Sequence, residues 1–222
     1  MRSAAAGYRN SMTTIREIRM SSAGRPTMEG AGVHLRRAFG SGQEQLFDPF
    51  LMLDDFRGDH PSQYEAGFPW HPHRGIETIT YVIEGEVEHG DSMGNAGAIG
   101  PGDVQWMTAG GGVLHKEYHE KEFSRKGGLF QMVQLWINLP KRFKMTPPKY
   151  QAIENKDMAR VMLEDGKSYV DLIAGSHRGK TGPAFAFTPT NLFSAHLKKG
   201  VEADFSFNRE YNTGLLVIEG EL

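Results

Sequence analysis

The sequence predicts an all-β protein organised around a small antiparallel barrel. Segments rich in β-branched and aromatic residues are separated by short turns containing Gly, Pro and Asp, which is the pattern of consecutive antiparallel strands. Two polar pairs, His71 with His73 and His115 with Glu117, flank this run of strands. Residues two apart on a strand share a face, so the two pairs can direct four side chains into one barrel interior.

The composition is that of an ordinary globular protein. The 222 residues are 39% hydrophobic, and the formal net charge of −2 gives no bulk electrostatic case for binding nucleic acid or an anionic membrane. No apolar run in the sequence approaches membrane-spanning length. The lack of Cys excludes disulfides, thiol catalysis and Cys-type zinc sites. We expect a cytoplasmic protein, or a nuclear one if the source is eukaryotic.

The N-terminal part, residues 1–32, is predicted to be irregular, with at most one short strand. Residues 1–14 contain basic but no acidic residues and no apolar segment, so we expect a frayed start rather than a targeting peptide. Strands follow at Val33–Phe39 and Phe50–Leu53. The composition after them predicts a loop, in which Asp54 and Asp55 would be turn and surface groups.

Three further strands surround the polar pairs. Ile76–Ile83 is β-branched and aromatic, and Val104–Met107 leads from a Pro-Gly-Asp turn towards three consecutive glycines. Leu129–Ile137 is the strongest apolar strand, with Gln131 and Gln134 on opposite faces, so one of the two amides is expected to face the pocket.

The polar pairs predict a metal site. Three imidazoles and a carboxylate suit a borderline divalent first-row metal. A single His is usually a hydrogen-bonded core or surface residue, and the chain has nine, but two pairs around one strand unit favour the metal interpretation. Residues an even number of positions apart on one strand share a face, a rule called strand parity below. By this rule Glu77 could share a face with His73, and His119 with Glu117, so both are further candidates for metal ligands. His89 lies in a predicted loop and is not expected to be a ligand.

Two long motifs carry a resemblance to a known family. FPWHPHRGIET at residues 68–78 and GDVQWMTAGGGVLHKE at residues 102–117 closely resemble the pirin family of the cupin superfamily, and the resemblance runs from about Ile15 onwards. It implies a bicupin fold of two jelly-roll barrels, also called double-stranded β-helices, with a mononuclear divalent metal in the first barrel. Fe(II) is expected, with Ni, Cu, Mn, Co or Zn as alternatives.

The resemblance also implies a ligand set. By motif the ligands are His71, His73, His115 and Glu117. Most cupins carry the carboxylate ligand in the first motif, where Glu77 stands. Pirin-like proteins are described with the Glu two residues after the third His, so Glu117 is favoured here.

Three functions are compatible with the resemblance. The first is an oxidoreductase of the quercetin 2,3-dioxygenase type, which opens a flavonol ring with O2, with Glu117 as ligand and catalytic base. The pocket for such an aromatic substrate would be lined by Phe68, Trp70, Trp106, Met107 and Phe130. The second is a non-catalytic, redox-responsive module that docks transcription or metabolic partners. The third is a structural metal barrel.

A shift in composition predicts the domain boundary. We expect the metal-binding barrel over residues 33–139 and a linker rich in Pro and Lys over residues 140–150. The pentapeptide VIEGE at residues 82–86 recurs at residues 217–221, which indicates an internal repeat.

The repeat predicts a second domain without a metal. At the same offset, His71 and His73 fall on Ser206 and Asn208, so residues 151–222 are expected to form a partial cupin domain that lacks metal ligands. Its strands would include Leu215–Ile218. Because the strands that follow the first copy have no counterpart after the second, we expect the chain to be a fragment of a longer protein.

Overall fold

The computed structural model describes residues 14–221, so the frayed start expected for residues 1–14 lies, apart from Thr14, outside the described residues. The chain is all-β, as predicted, and the described part contains sixteen strands and two α-helices, α1 (Glu44–Phe47) and α2 (Lys121–Lys126). None of the described helices is long and apolar enough to span a membrane. The strands are β1 (Arg25–Glu29), β2 (Val33–Phe39), β3 (Phe50–Gly58), β4 (Phe68–His73), β5 (Ile76–Glu84), β6 (Val87–Asp91), β7 (Ala96–Ile99), β8 (Val104–Thr108), β9 (Val113–His119), β10 (Phe130–Asn138), β11 (Lys149–Ile153), β12 (Ala159–Met162), β13 (Tyr169–Ala174), β14 (Ser176–His177), β15 (Lys180–Thr181) and β16 (Leu192–His196).

Two antiparallel sheets enclose the barrel interior. The larger has seven strands in the order β1-β2-β3-β10-β5-β8-β11, and the smaller has four in the order β4-β9-β6-β7. Their facing surfaces share one buried apolar cluster, in which Phe56 and Val82 of the larger sheet meet Val87 and Ile99 of the smaller. This is the jelly-roll arrangement that the resemblance implies.

The seven-stranded sheet packs apolar residues on each of its two faces. Side chains alternate along a β-strand, so consecutive residues contribute to opposite faces. On β5, Thr80 and Val82 point into the barrel, whereas Ile79 packs on the opposite face against Ile173 and Ala174. These two residues belong to β13, the central strand of a separate three-stranded sheet, β12-β13-β16. The larger sheet therefore separates the barrel interior from a second core.

The end of the described chain departs from the sequence prediction. The repeat predicted a strand at Leu215–Ile218, but among the described residues no strand follows β16. Leu215 is 76% exposed and Val217 44% exposed. An apolar segment of four residues needs a neighbouring strand to form the backbone hydrogen bonds of a sheet, and in the described structure no strand pairs with this segment.

The Asp54–Asp55 pair corrects the predicted surface loop. Both residues lie in β3 and are buried, with 1% and 6% of their surface exposed. Asp54 accepts two hydrogen bonds from Arg37, at 2.8 and 2.7 Å. Asp55 faces the other way and accepts from Arg57 at 2.7 Å. Each carboxylate has a guanidinium partner, and this pairing allows the strand to continue through two buried acids.

The two pairs should contribute differently to stability. We expect Asp54→Ala to lower the free energy of unfolding by about 2 kcal/mol, because the half-buried Arg37 charge loses two hydrogen bonds and keeps only Glu29 as a partner. Asp55→Ala should cost about 1 kcal/mol or less, since the Arg57 side chain is 43% exposed and remains solvated. Urea unfolding of both variants measures the difference, and equal losses would contradict this account.

Candidate metal centre

Three predicted site residues meet on neighbouring strands of the smaller sheet. Antiparallel pairing places His71 of β4 opposite His115 of β9, and His73 lies two residues further along β4. One ligand atom of each of these three histidines lies within 4.8 Å of those of the other two. The ring centroids are 4.3 Å apart for His71 and His115, and 4.8 Å apart for His73 and His115. This spacing can surround a single metal ion.

His71 and His115 each keep a nitrogen that is free to bind a metal. His115 has no exposed surface, and neither of its nitrogens has a hydrogen-bond partner in the described structure. In His71, Nδ1 lies 2.7 Å from the carbonyl oxygen of Pro69, which can only accept a hydrogen bond. Nδ1 therefore carries the proton and Nε2 keeps its lone pair, an arrangement common in metal-binding His. The residues present thus fit a metal ion.

The protonation states agree with this fit. Burial, reinforced by the neighbouring imidazoles, lowers the pKa of His73 to about 3 and that of His115 to about 3. Both rings are therefore neutral at pH 7. A neutral imidazole is the form that binds a metal, so no proton has to be removed first.

Glu117 lies beside this group and is held by three donors. Its Oε1 accepts hydrogen bonds from Thr80 Oγ1 and Gln105 Nε2, each at 3.0 Å, and its Oε2 accepts one from Gln134 Nε2 at 3.2 Å. The prediction that one of the amides Gln131 and Gln134 faces the pocket is confirmed for Gln134. A carboxylate has about four acceptor positions, so roughly one remains open, on Oε2.

His89 corrects the sequence interpretation. It was expected in a loop and away from the metal, but it lies in β6 with 1% of its surface exposed. Ligand atoms of His89, His115 and Glu117 also lie within 4.8 Å of one another, so this second group overlaps the first. The alternation of Val87 and His89 with the outward-facing Glu88 was the available signal, which the following Gly and Asp residues obscured.

Glu77 and His119, the two other candidates, belong to neither group. Glu77 lies on the opposite face of the larger sheet, where its Oε1 accepts from Trp106 Nε1 at 3.1 Å and Thr108 Oγ1 at 2.8 Å. Strand parity with His73 fails because the chain changes sheets at Gly75, whose φ of 69° is left-handed. His119 is enclosed by aromatic rings, with Phe130 at 4.1 Å between centroids.

Only some of the five residues expected to line a substrate pocket face the barrel interior. Phe68 and Phe130 pack in the barrel interior, and Met107 packs there beside Val113. Trp106 instead faces the second core with Ile79. Trp70 points outward and is 54% exposed.

Trp136 is an interior residue that the sequence analysis missed. Its ring meets that of His73 edge to face, with centroids 5.0 Å apart. Its buried Nε1 has no acceptor among the described residues. Because it lies two residues after Gln134 on β10, strand parity could have placed it on the same face.

Comparisons with known proteins support a family assignment. The Pirin family profile matches residues 32–137. A pirin-like protein of Caulobacter vibrioides is 44% identical over 201 residues, which cover 90% of this chain and 71% of that protein. A crystal structure of quercetin 2,3-dioxygenase from Acinetobacter baumannii is 45% identical, with a TM-score of 0.72 over 78% of this chain and 62% of that one. A Pseudomonas aeruginosa protein provisionally named quercetin 2,3-dioxygenase is 44% identical over 183 residues. That match covers 80% of this chain but only 63% of the length of the Pseudomonas protein.

Proposed function

Because the chain belongs to the pirin family of cupins, we propose that it is a metal-dependent oxidoreductase of the quercetin 2,3-dioxygenase type. In this proposal His71, His73, His115 and Glu117 hold one divalent ion. The observation that carries it is the meeting of three imidazoles within 4.8 Å, one of them fully buried with no partner for either nitrogen in the described structure. Such groups are costly to bury unless something binds them.

The donor set suits several divalent first-row metal ions. Imidazole nitrogens with a carboxylate suit Fe(II), and Ni, Cu, Mn, Co and Zn accept similar ligands. An ion held by these residues would act as a Lewis acid towards the oxygens of a flavonol and would supply the redox chemistry for its reaction with O2. We propose Fe(II) as the working metal.

Glu117 acts as the base in this proposal. Thr80, Gln105 and Gln134 fix the orientation of its carboxylate, and the open acceptor position on Oε2 can take the proton of a flavonol hydroxyl. The same position would also be needed to coordinate the ion. If Glu117 serves both roles, the Gln134 hydrogen bond at 3.2 Å, which is the longest of the three, is the one expected to be released.

The barrel interior can orient an aromatic substrate. Trp136 lies against His73, and its unpartnered Nε1 is available to donate a hydrogen bond to a substrate oxygen. Met107 and Phe130 contribute apolar surface that excludes water from the interior. Small-molecule sites commonly combine such surface with a few placed polar groups.

A non-catalytic docking module is the second candidate, and the outer face of the smaller sheet favours it. Trp70 alternates with His71 on β4, and Leu114 alternates with His115 on β9. Trp70 and Leu114 are 54% and 48% exposed. The same two strands therefore carry the metal-type histidines on one face and an exposed apolar surface for a protein partner on the other.

Metal analysis followed by a turnover assay tests the proposal. Protein purified without added metal should contain about one divalent ion per chain. Loss of flavonol absorbance and uptake of oxygen should proceed together, weakly but above the rates with metal-free protein and with free metal. A fully loaded protein with no turnover above free metal would favour the docking module instead.

A further inference from the structure

The second group, His89 with His115 and Glu117, has the geometry of a metal site in its own right. β6 and β9 are neighbours in the smaller sheet, and His89 lies opposite Glu117 in their register. Ligand atoms of the three residues lie within 4.8 Å of one another. All three are buried, with 1%, 0% and 2% of their surface exposed.

The nitrogens of His89 lack hydrogen-bond partners. Neither Nδ1 nor Nε2 makes a hydrogen bond in the described structure, although both atoms are buried. The Asp91 carboxylate lies 3.7 Å from Nε2 and is itself fixed by Asn95, whose side chain donates at 2.7 Å. At 3.7 Å this contact is longer than a hydrogen bond, so both nitrogens of His89 remain available as ligand atoms.

We propose that His89, His115 and Glu117 form an inner position for a divalent ion, next to the outer position of the three clustered histidines. Two imidazoles and one carboxylate make up the protein ligands of several zinc enzymes and of non-haem Fe(II) oxygenases. Glu117 is already positioned by its three donors, and its open acceptor position is on Oε2. The inner position therefore requires no residue from outside the barrel.

The two positions exclude each other. A neutral imidazole has one lone pair available for coordination, so His115 can serve one ion at a time. The chain thus binds a single ion, in either the inner or the outer position. The inner ligands are all buried, whereas His71 of the outer group is partly exposed, so an ion in the inner position is shielded from substrate.

Zinc binding separates the two positions. We expect the wild-type chain and the double variant His71→Ala/His73→Ala each to bind about one Zn²⁺ by titration calorimetry, the variant more weakly. Adding His89→Phe to the double variant should abolish binding while keeping the ring stacked on Tyr150, whose centroid lies 4.8 Å away. The matched control adds His119→Phe, which replaces another buried histidine with unpartnered nitrogens, and should leave binding unchanged.

This inference rests on the proposed function, because both require a divalent ion at His115. The outcomes of the zinc experiment nevertheless tell the two apart. Zinc binding by the wild type but not by the double variant would overturn the inner position alone. Equal binding with and without His89→Phe would also overturn it. No binding by the wild type would defeat both proposals. If the triple variant fails to fold, nitrogen NMR of the His89 ring in the double variant decides, because Zn²⁺ must shift its signals if the position exists.

Discussion

Changing His115 to Ala should abolish metal binding by this chain. His115 is the one histidine that belongs to both the outer and the inner group, so its loss leaves neither with its ligands. We expect bound metal, measured by elemental analysis after dialysis, to fall from about one ion per chain to near zero, and affinity to drop by at least about 100-fold.

His119→Ala is the matched control for this change. His119 lies on the same strand, is 7% exposed, and also has two nitrogens without partners in the described structure, but it lies outside both groups. Its substitution should leave the metal content unchanged. Far-ultraviolet circular dichroism must show both variants folded. A folded His115→Ala protein that retains wild-type metal content would refute the assignment of His115.

The strands were predictable from sequence because their signals are local. The segments now seen as β2, β5, β8 and β10 each carry their own apolar or β-branched pattern, and the prediction placed them to within one or two residues. The same local rule put His71 and His73 on one face and His115 and Glu117 on one face, because parity holds within a single strand.

Parity fails as a guide wherever the chain leaves a strand. Glu77 was linked to His73 by counting residues, but Gly75 turns the chain into the other sheet between them. Trp106 was placed near the metal only because it is close in sequence, and pairing with Ile79 puts it on the outer face. Which face of a strand is interior depends on its neighbours, and strand neighbours are not encoded locally.

Charged and polar residues were misplaced for a related reason. Asp54 and His89 were expected outside the barrel because the composition around each predicts a loop, and an isolated acid or imidazole is costly to bury. Arg37 removes that cost for Asp54 by pairing with its carboxylate. His115 and Glu117 lie close enough to His89 to bind a metal ion together with it. Each partner lies on a different strand from the residue that it compensates, so the compensation appears only when the sheet is assembled.

Changing Glu117 to Gln should strongly reduce flavonol consumption. Gln keeps the shape of the side chain and can still accept from Thr80 and Gln105 at its oxygen, and the Gln134 amide can rotate to face the new NH2 group. The barrel should therefore remain folded. An amide cannot take the proton of the substrate, so we expect turnover to fall by about 100-fold or more, as loss of a general base typically causes.

Glu77→Gln supplies the control, because it replaces a fully buried carboxylate on the opposite face of the larger sheet. That variant should consume flavonol and oxygen at the wild-type rate. Metal content must be measured for both proteins, since a loss of activity in Glu117→Gln that follows a loss of metal reports coordination rather than proton transfer. If Glu117→Gln retains its metal and still turns over flavonol as the wild type does, Glu117 is not the base. If Glu77→Gln loses turnover instead, the catalytic carboxylate is the one in the first motif.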